Sequence, residues 1–325
     1  MEKLDLKDRK ILYELDIDSR QSFSQLGKKV GLHKDVVAYR VKKLQEKGII
    51  KNFFTEINEY KLGYSQVKFY LTYQNITPQI KQEIIDYLVK SSFINIVHSL
   101  EGIYNLCVIS YTENVSKFYN IWNDFINKYR DFFSNQIFCV QNVEIEYKKN
   151  FLLEEKLDKN DKINYIKSSD DKKVEIDDLD KKILDVLVSN SRLPTIEIAQ
   201  KLDSTITTIN SRMKKLIKLG VISNFAIDVD WPRLGYQWFK ADIDLKHPEK
   251  RQKIVEYIEN NPNLLFKILS LGYVDLELAF TLNNAIQLHQ IMEDLFSKYP
   301  DTIRNYKYFS VIKTHKLEGV DFWNR

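Results

Sequence analysis

The chain repeats itself, and this limits its fold more than any other feature. At a constant offset of 172 residues, Asp5, Asp8, Ile11, Leu12 and Leu15 recur as Asp177, Asp180, Ile183, Leu184 and Leu187. Ser19-Arg20 returns as Ser191-Arg192, Arg40 as Arg212, and Lys42-Lys43-Leu44 as Lys214-Lys215-Leu216. Gly48, Ile50 and Asn52-Phe53 match Gly220, Ile222 and Asn224-Phe225, and Leu62-Gly63-Tyr64 matches Leu234-Gly235-Tyr236, all without a gap. Further along the offset is 170, pairing Gly102 with Gly272, Asn105 with Asp275, Leu106 with Leu276 and Tyr129 with Tyr299. The 325 residues are therefore two copies of one two-domain unit.

In each unit a helical part comes first. Ile11, Leu12 and Leu15 form an apolar face at helical spacing. Phe23, Leu26 and Val30 make a second short helix ended by Gly31, and Val37, Val41 and Leu44 make a third stopped by Gly48. Ile183, Leu184 and Leu187, then Ile196, Ile198 and Leu202, then Ile209, Met213 and Leu216 repeat the series. Helices two and three around a short turn are a helix-turn-helix. The turn of the second copy, Asp203-Ser204-Thr205, offers side chains that can cap the third helix. After that helix, Ile49–Thr55 reads as a strand pair or wing.

An α/β part follows. Gln66–Tyr73 alternates like a strand, and Ile80, Ile84, Ile85 and Leu88 line a helix. Phe93–Leu100 and Leu106–Tyr111 are strands joined by a turn at Glu101–Asn105. A helix carrying Val115, Phe118, Trp122, Phe125 and Tyr129, and a strand near Ile137–Tyr147, complete βαββαβ, the ferredoxin-like order. Copy two repeats it between Gln237 and Lys316. Such a sheet has helices on one face only, so two copies set sheet against sheet would cover each other.

The fold class is α+β, with winged helix-turn-helix domains at 1–62 and 175–234 and ferredoxin-like domains at 63–150 and 235–325. Residues 151–174, rich in Lys, Asp, Asn and Ser, read as a linker, with a short amphipathic helix at Phe151–Leu157.

Composition narrows the class but not the function. Apolar residues make up 44% and charged ones 29%, which excludes collagen-like, low-complexity and largely disordered chains. The apolar runs are far shorter than the ~20 residues of a membrane helix, and Glu2, Lys3, Asp5 and Lys7 are not the start of a signal peptide. Cys107 and Cys139 read as small buried hydrophobes in a cytoplasmic protein. A net charge of +4 permits nucleic-acid binding without arguing for it, so the placement of the charges decides.

The third helices place them. Lys34, Asp35, Ala38, Tyr39 and Lys42 share one exposed face, with Arg40 and Lys43 beside it. Copy two offers Ile206, Thr207, Asn210, Ser211 and Lys214, with Arg212 and Lys215. Short polar side chains that read base edges, flanked by cations that hold phosphates, suit a helix in the major groove of double-stranded DNA.

Leu4-Asp5-x-x-Asp8-x-x-Ile11-Leu12, Arg20, Gly31-Leu32, Arg40-Val41, Leu44 and Gly48-Ile49-Ile50 together resemble the leucine-responsive/asparagine regulator (Lrp/AsnC) family. The resemblance covers nearly the whole chain, twice. It implies a transcription regulator that binds DNA and is modulated by an amino acid or a related small molecule held between paired α/β modules. The pocket would lie near Gly102, Tyr104, Asn105, Gly272 and Asp275. It implies no cofactor, no metal and no catalytic residue. Copy one carries Asn105 where the family pattern has aspartate, and His33 where the family often places a capping serine. Pairing within one chain and pairing between two chains both satisfy the repeat. Because the two third helices differ, the expected DNA site is not a perfect palindrome.

An enzyme is the alternative, since certain haem-pathway decarboxylases of siroheme type resemble the same family and have two related halves. His33, His98, His247, His289 and His315 have no metal-ligand spacing, and among them His98 lies on a strand beside the Gly102 turn. Trp122 on a helix's apolar stripe, and Trp231 and Trp238 around the Leu234-Gly235-Tyr236 hinge, read as packing residues; Trp323 has no functional reading.

Overall fold

The computed structural model describes residues 2–153 and 162–319. The first copy runs α1 (Leu6–Ile17), α2 (Phe23–Val30), α3 (Lys34–Glu46) and β1 (Ile50–Ile57). It continues with β2 (Ser65–Tyr73), α4 (Pro78–Lys90), β3 (Ile96–Gly102), β4 (Leu106–Thr112), α5 (Val115–Tyr129) and β5 (Phe133–Tyr147). A further strand, β6 (Ile163–Ser168), precedes the second copy. That copy runs α6 (Asp178–Ser189), α7 (Thr195–Lys201), α8 (Ile206–Lys218), β7 (Ile222–Val229), β8 (Gln237–Leu245), α9 (Arg251–Ile258), β9 (Leu264–Leu271), β10 (Leu276–Leu282), α10 (Ala285–Lys298) and β11 (Ile303–Leu317).

Local chemistry sets the helix ends. Asp5 caps α1 by accepting the Asp8 N–H at 2.7 Å, Ser22 and Gln25 form a capping box on α2, and Gly31 closes α2 with φ 68°. Ile11, Leu12, Leu15, Leu26, Val30, Val37, Val41 and Leu44 are buried together, as their spacing requires. Ile196 departs from its expectation. It is half exposed at the start of α7, where Ile198 and Ala199 face the core instead.

The strand in the wing position does not fold back on a neighbour within its own copy. β1 pairs antiparallel with β7, and the register is centred on Phe54 opposite Ala226, which are equivalent residues of the two copies. Each strand, with the 3-10 turn after it, also completes the other copy's helical core. Ile227, Val229 and Trp231 pack into the first, and Ile57 and Leu62 into the second. Each such side chain contributes about 1.5–3 kcal/mol of burial that neither helical module could supply alone.

The α/β modules join by their edges as well as their faces. β3 pairs with β11 and β9 with β5, so the strand order β2-β4-β3-β11-β8-β10-β9-β5 closes through β5 on β2 into a ring, with β6 appended to β5. One chain thereby supplies both partners of the pair, and the ring leaves no long strand edge open. The helices lie outside on two apolar layers, one for each copy. Trp122 stacks on Phe69 at 3.5 Å in the first layer, a core role as its stripe indicates. Trp231 packs edge-on against Phe151, and Trp238 against Phe266. Both cysteines are buried.

The expected linker is shorter than its composition suggests. Ile163–Ser168 forms β6, because Tyr165 buries its ring and Lys167 finds carboxylates at the half-buried Glu56 and the buried Glu59. Asn150–Leu152 form a 3-10 turn with Leu152 in the first helical core, whereas 154–161 and Trp323 lie outside the described residues.

Candidate nucleic-acid interface

α3 and α8 present the faces expected of them. Lys34, Asp35, Tyr39, Lys42 and Lys43 are exposed on α3, and Thr207, Asn210, Ser211, Lys214 and Lys215 on α8. Tyr39 is 64% exposed, a large apolar ring left in solvent on a helix whose other face is fully packed. The Lys43 ammonium lies 5.9 Å from its ring centroid. Ile206 stands half out of the protein at the start of α8. Thr205 caps α8 by accepting the Thr208 N–H at 3.1 Å, whereas His33 gives α3 no side-chain cap and faces Asp35 at 3.2 Å.

Three expected phosphate contacts are engaged inside the protein. The Arg40 guanidinium reaches Asp5 and Asp8, both at 2.7 Å, and Arg212 repeats this with Asp177 at 2.5 Å and Asp180 at 3.3 Å. Lys215 lies 2.9 Å from Asp180, which is fully buried. The Asp180 N–H and the Arg212 guanidinium hold the Asp177 carboxyl below the usual carboxylate range. The repeated aspartates and arginines thus tie each third helix to the start of its first helix. Lys42 forms only a loose exposed pair with Glu46 at 3.8 Å, and Lys34 and Lys214 point outward.

The two helical modules meet on a dyad. Ser19 Oγ lies 2.6 Å from Ser191 Oγ, fully buried. The backbone N–H of each serine donates to the opposite copy's strand, at Phe225 and Phe53.

The turns at Gly102–Asn105 and Gly272–Asp275 come together where the halves of the ring join. The Tyr104 and Tyr273 hydroxyls are 3.1 Å apart. Gly102 (φ 129°) admits no other residue, since a Cβ would sit 2.8 Å from the Tyr308 carbonyl of the paired strand. Asn105 Oδ1 accepts the Tyr73 N–H at 2.8 Å, and Asp275 Oδ2 accepts the Leu245 N–H at 2.7 Å. These are equivalent bonds, and an amide oxygen makes them as well as a carboxylate. Asp275 additionally faces Arg251 at 3.8 Å.

Sequence reasoning passed over the ring's interior. Lys68 and Lys240 are equivalent residues of the two copies, and both turn inward onto one carboxylate. Lys68 lies 2.9 Å from Glu277, and Lys240 bonds both Glu277 and the Tyr70 hydroxyl. Ser270 also donates to Glu277, and Tyr273 to Asp242. Burial opposes its charge, yet Lys240 and Lys68 hold Glu277 down at about 2, while burial pushes Asp242 up to about 6. The available signal was a lysine recurring at the same position of two equivalent strands.

Two more buried lysines fasten the helical modules to the ring. Lys149 holds Asp16 at 2.6 Å and Glu146 at 3.0 Å, and Lys167 holds Glu56 and, at 3.0 Å, Glu59. Among the histidines, His98 bonds Thr314 at 3.0 Å and burial pushes its ring down to about 4, so it is neutral near pH 7. Among the described residues no cluster of three or more His, Cys, Asp or Glu could hold a metal ion, and no helix is long and apolar enough to cross a membrane.

The family whose model describes an AsnC-type helix-turn-helix domain matches residues 4–45, and one for winged helix-turn-helix DNA-binding matches 176–223. An uncharacterized HTH-type transcriptional regulator of Pyrococcus furiosus is 44% identical over 85 residues, 26% of this chain and 57% of that relative. The match thus spans little more than half of that protein. The HTH-type transcriptional regulator LrpA of Pyrococcus horikoshii is 35% identical over 99 residues, 30% of this chain and 69% of LrpA. Among solved structures, the siroheme decarboxylase NirDL has the same fold end to end. It covers 98% of this chain and 94% of its own, at TM-score 0.66 and 14% identity. With both helix-turn-helix units matched and two thirds of LrpA aligned at this identity, the chain belongs to the Lrp/AsnC family of regulators.

Proposed function

We propose that the protein is a sequence-specific DNA-binding transcription regulator working in the cytoplasm, with α3 and α8 reading the major groove of double-stranded DNA. The observation that carries this reading is the pair of exposed third helices, held by one chain on a common dyad as HTH dimers hold theirs. Tyr39, Asp35, Thr207, Asn210 and Ser211 would contact base edges, and Lys34, Lys42, Lys43 and Lys214 would contact phosphates. Arg40, Arg212 and Lys215 instead hold the reading helices in place. Two different faces on a symmetric frame call for a site with unlike halves. The direct test is retention of the chain's own upstream promoter fragment against a scrambled fragment at two salt concentrations. Specific, salt-sensitive retention is expected, and no retention of any duplex at low salt would overturn the reading.

Modulation by an amino acid is the finer part of the proposal. The ligand would sit where the Gly102–Asn105 and Gly272–Asp275 turns converge, beside Tyr104. Titration calorimetry against the common amino acids checks it, and no heat from any of them would remove it.

The fold shared with NirDL favours one second reading, a tetrapyrrole-handling enzyme. Against it, Lys68, Lys240 and Tyr70 are already bonded to Glu277 inside the ring, and His98 is neutral and bonded to Thr314. A purified protein carrying a visible tetrapyrrole absorption band would decide for the enzyme.

A further inference from the structure

Two arginines stand where the helical modules meet, and nothing in the DNA-reading faces uses them. Arg20 lies in the loop between α1 and α2, and Arg192 at the same place between α6 and α7. Arg20 Nη1 donates across the dyad to the carbonyls of Ser191 and, at 3.1 Å, Leu193. Arg192 Nη1 returns the contact to Ser19 and, at 3.1 Å, Gln21. Each guanidinium also lies over a ring, Arg20 over Phe225 at 5.7 Å, and Arg192 over Phe23 at 4.9 Å and Phe53 at 5.4 Å. Burial pushes both below the usual arginine range, and Arg20 further depresses Arg192.

Their acceptors are backbone carbonyls of the opposite loop, so what each cation holds is the course of the other copy's chain. A planar fork can bind two neighbouring carbonyls at a fixed angle, and a lysine ammonium cannot reproduce that plane. With the buried Ser19–Ser191 bond and the β1–β7 ladder, these forks oppose both sliding and twisting of one module on the other.

We propose that Arg20 and Arg192 are positioning residues that fix the separation and relative twist of α3 and α8, so that the protein measures the spacing between its two half-sites. This rests on the DNA-binding reading above. One inserted base pair moves a half-site by about 3.4 Å and turns it by about 34° around the duplex. A rigid pair of modules cannot follow that displacement, whereas a loosened pair can.

The test begins with a duplex selected by the full-length wild-type protein from a random pool, then rebuilt with its centre lengthened or shortened by one and two base pairs. Wild type is expected to lose about tenfold or more in affinity for each single step. The full-length double variants Arg20→Lys with Arg192→Lys, and Arg20→Ala with Arg192→Ala, are expected to lose less than about threefold on the same series. At the original spacing their salt slope should be unchanged, because no phosphate contact has been removed. The lysine pair keeps both charges and carries the comparison where the alanine pair unfolds on circular dichroism. A flat wild-type profile overturns the proposal, and so does a folded variant with the wild-type profile. Failure to select any duplex overturns the DNA-binding reading itself, a separate result from either.

Discussion

Where the helical modules meet, nearly every contact has a twin in the other copy. Ser19 faces Ser191, Arg20 and Arg192 exchange forks, and Phe54 lies opposite Ala226. Inside the ring the symmetry stops at the lysines. Lys68 and Lys240 are equivalent, but Glu277 has Cys107 as its counterpart and Asp242 has Tyr70, so copy two supplies both carboxylates for the pair. The difference follows from what each interface must do. On the DNA-binding reading proposed above, the two third helices would have to meet a duplex with a fixed repeat, which calls for a symmetric frame. The ring has only to close and satisfy its buried charges, and any arrangement with enough carboxylate does that.

The largest effect should come from breaking the asymmetric side. Glu277→Ala would leave two buried ammoniums sharing Asp242, at an expected cost of about 3–5 kcal/mol by chemical denaturation. Moving the carboxylate to its equivalent position, Cys107→Glu combined with Glu277→Cys, should recover part of that loss, since the lysines are related by the dyad. No recovery would show that the ring's halves are not interchangeable at this site.

The second effect concerns the lysines at the junction between the two kinds of module, where each cation holds two carboxylates. Burial pushes Glu59 and Glu146 up to about 7. The folded chain therefore keeps protons that the unfolded chain has released above its ordinary value of 4.5. Stability should fall as pH rises from about 4.5 to 7, by at most about 3.4 kcal/mol for each group. Melting temperature against pH measures this slope, and Glu59→Gln with Glu146→Gln should flatten it. An unchanged slope would place the titration elsewhere.

Smaller effects sharpen the symmetric side. Arg40→Ala and Arg212→Ala should each lower stability by about 1 kcal/mol, since each unties a third helix from its first. Equal losses would confirm the symmetry of the frame. Smallest in stability, but read in binding, are Lys43→Ala and Lys214→Ala. These should weaken all duplexes alike and reduce the salt slope by about one, whereas Tyr39→Ala and Asn210→Ala should alter which sequence is preferred. Uniform effects from all four would remove the division between phosphate and base contacts.

Much of this was legible in the residues because helix caps and apolar spacing are local. The Phe23-Leu26-Val30 spacing, Gly31 and the Val37-Val41-Leu44 stripe announce their helices without outside help. The dyad, by contrast, was visible only as repeated letters. Ser19-Arg20 and Ser191-Arg192 recur, but neither pair shows that it binds the other. The strand expected as part of a strand pair or wing found its partner in the other copy, at the equivalent strand 172 residues away.

The internal repeat is written directly in recurring residues, and the helix-turn-helix units, the βαββαβ order and the unlike faces of α3 and α8 are determined by the sequence itself, since each element depends on side chains within a few turns of one another. Only the tertiary structure decided that the two copies close one ring within a chain, that Arg40, Arg212 and Lys215 pair with aspartates at the start of the first helices, and that two lysines share Glu277. Those outcomes depend on which distant groups meet once the sheet edges pair, and buried charges take whatever partner that closure brings within reach.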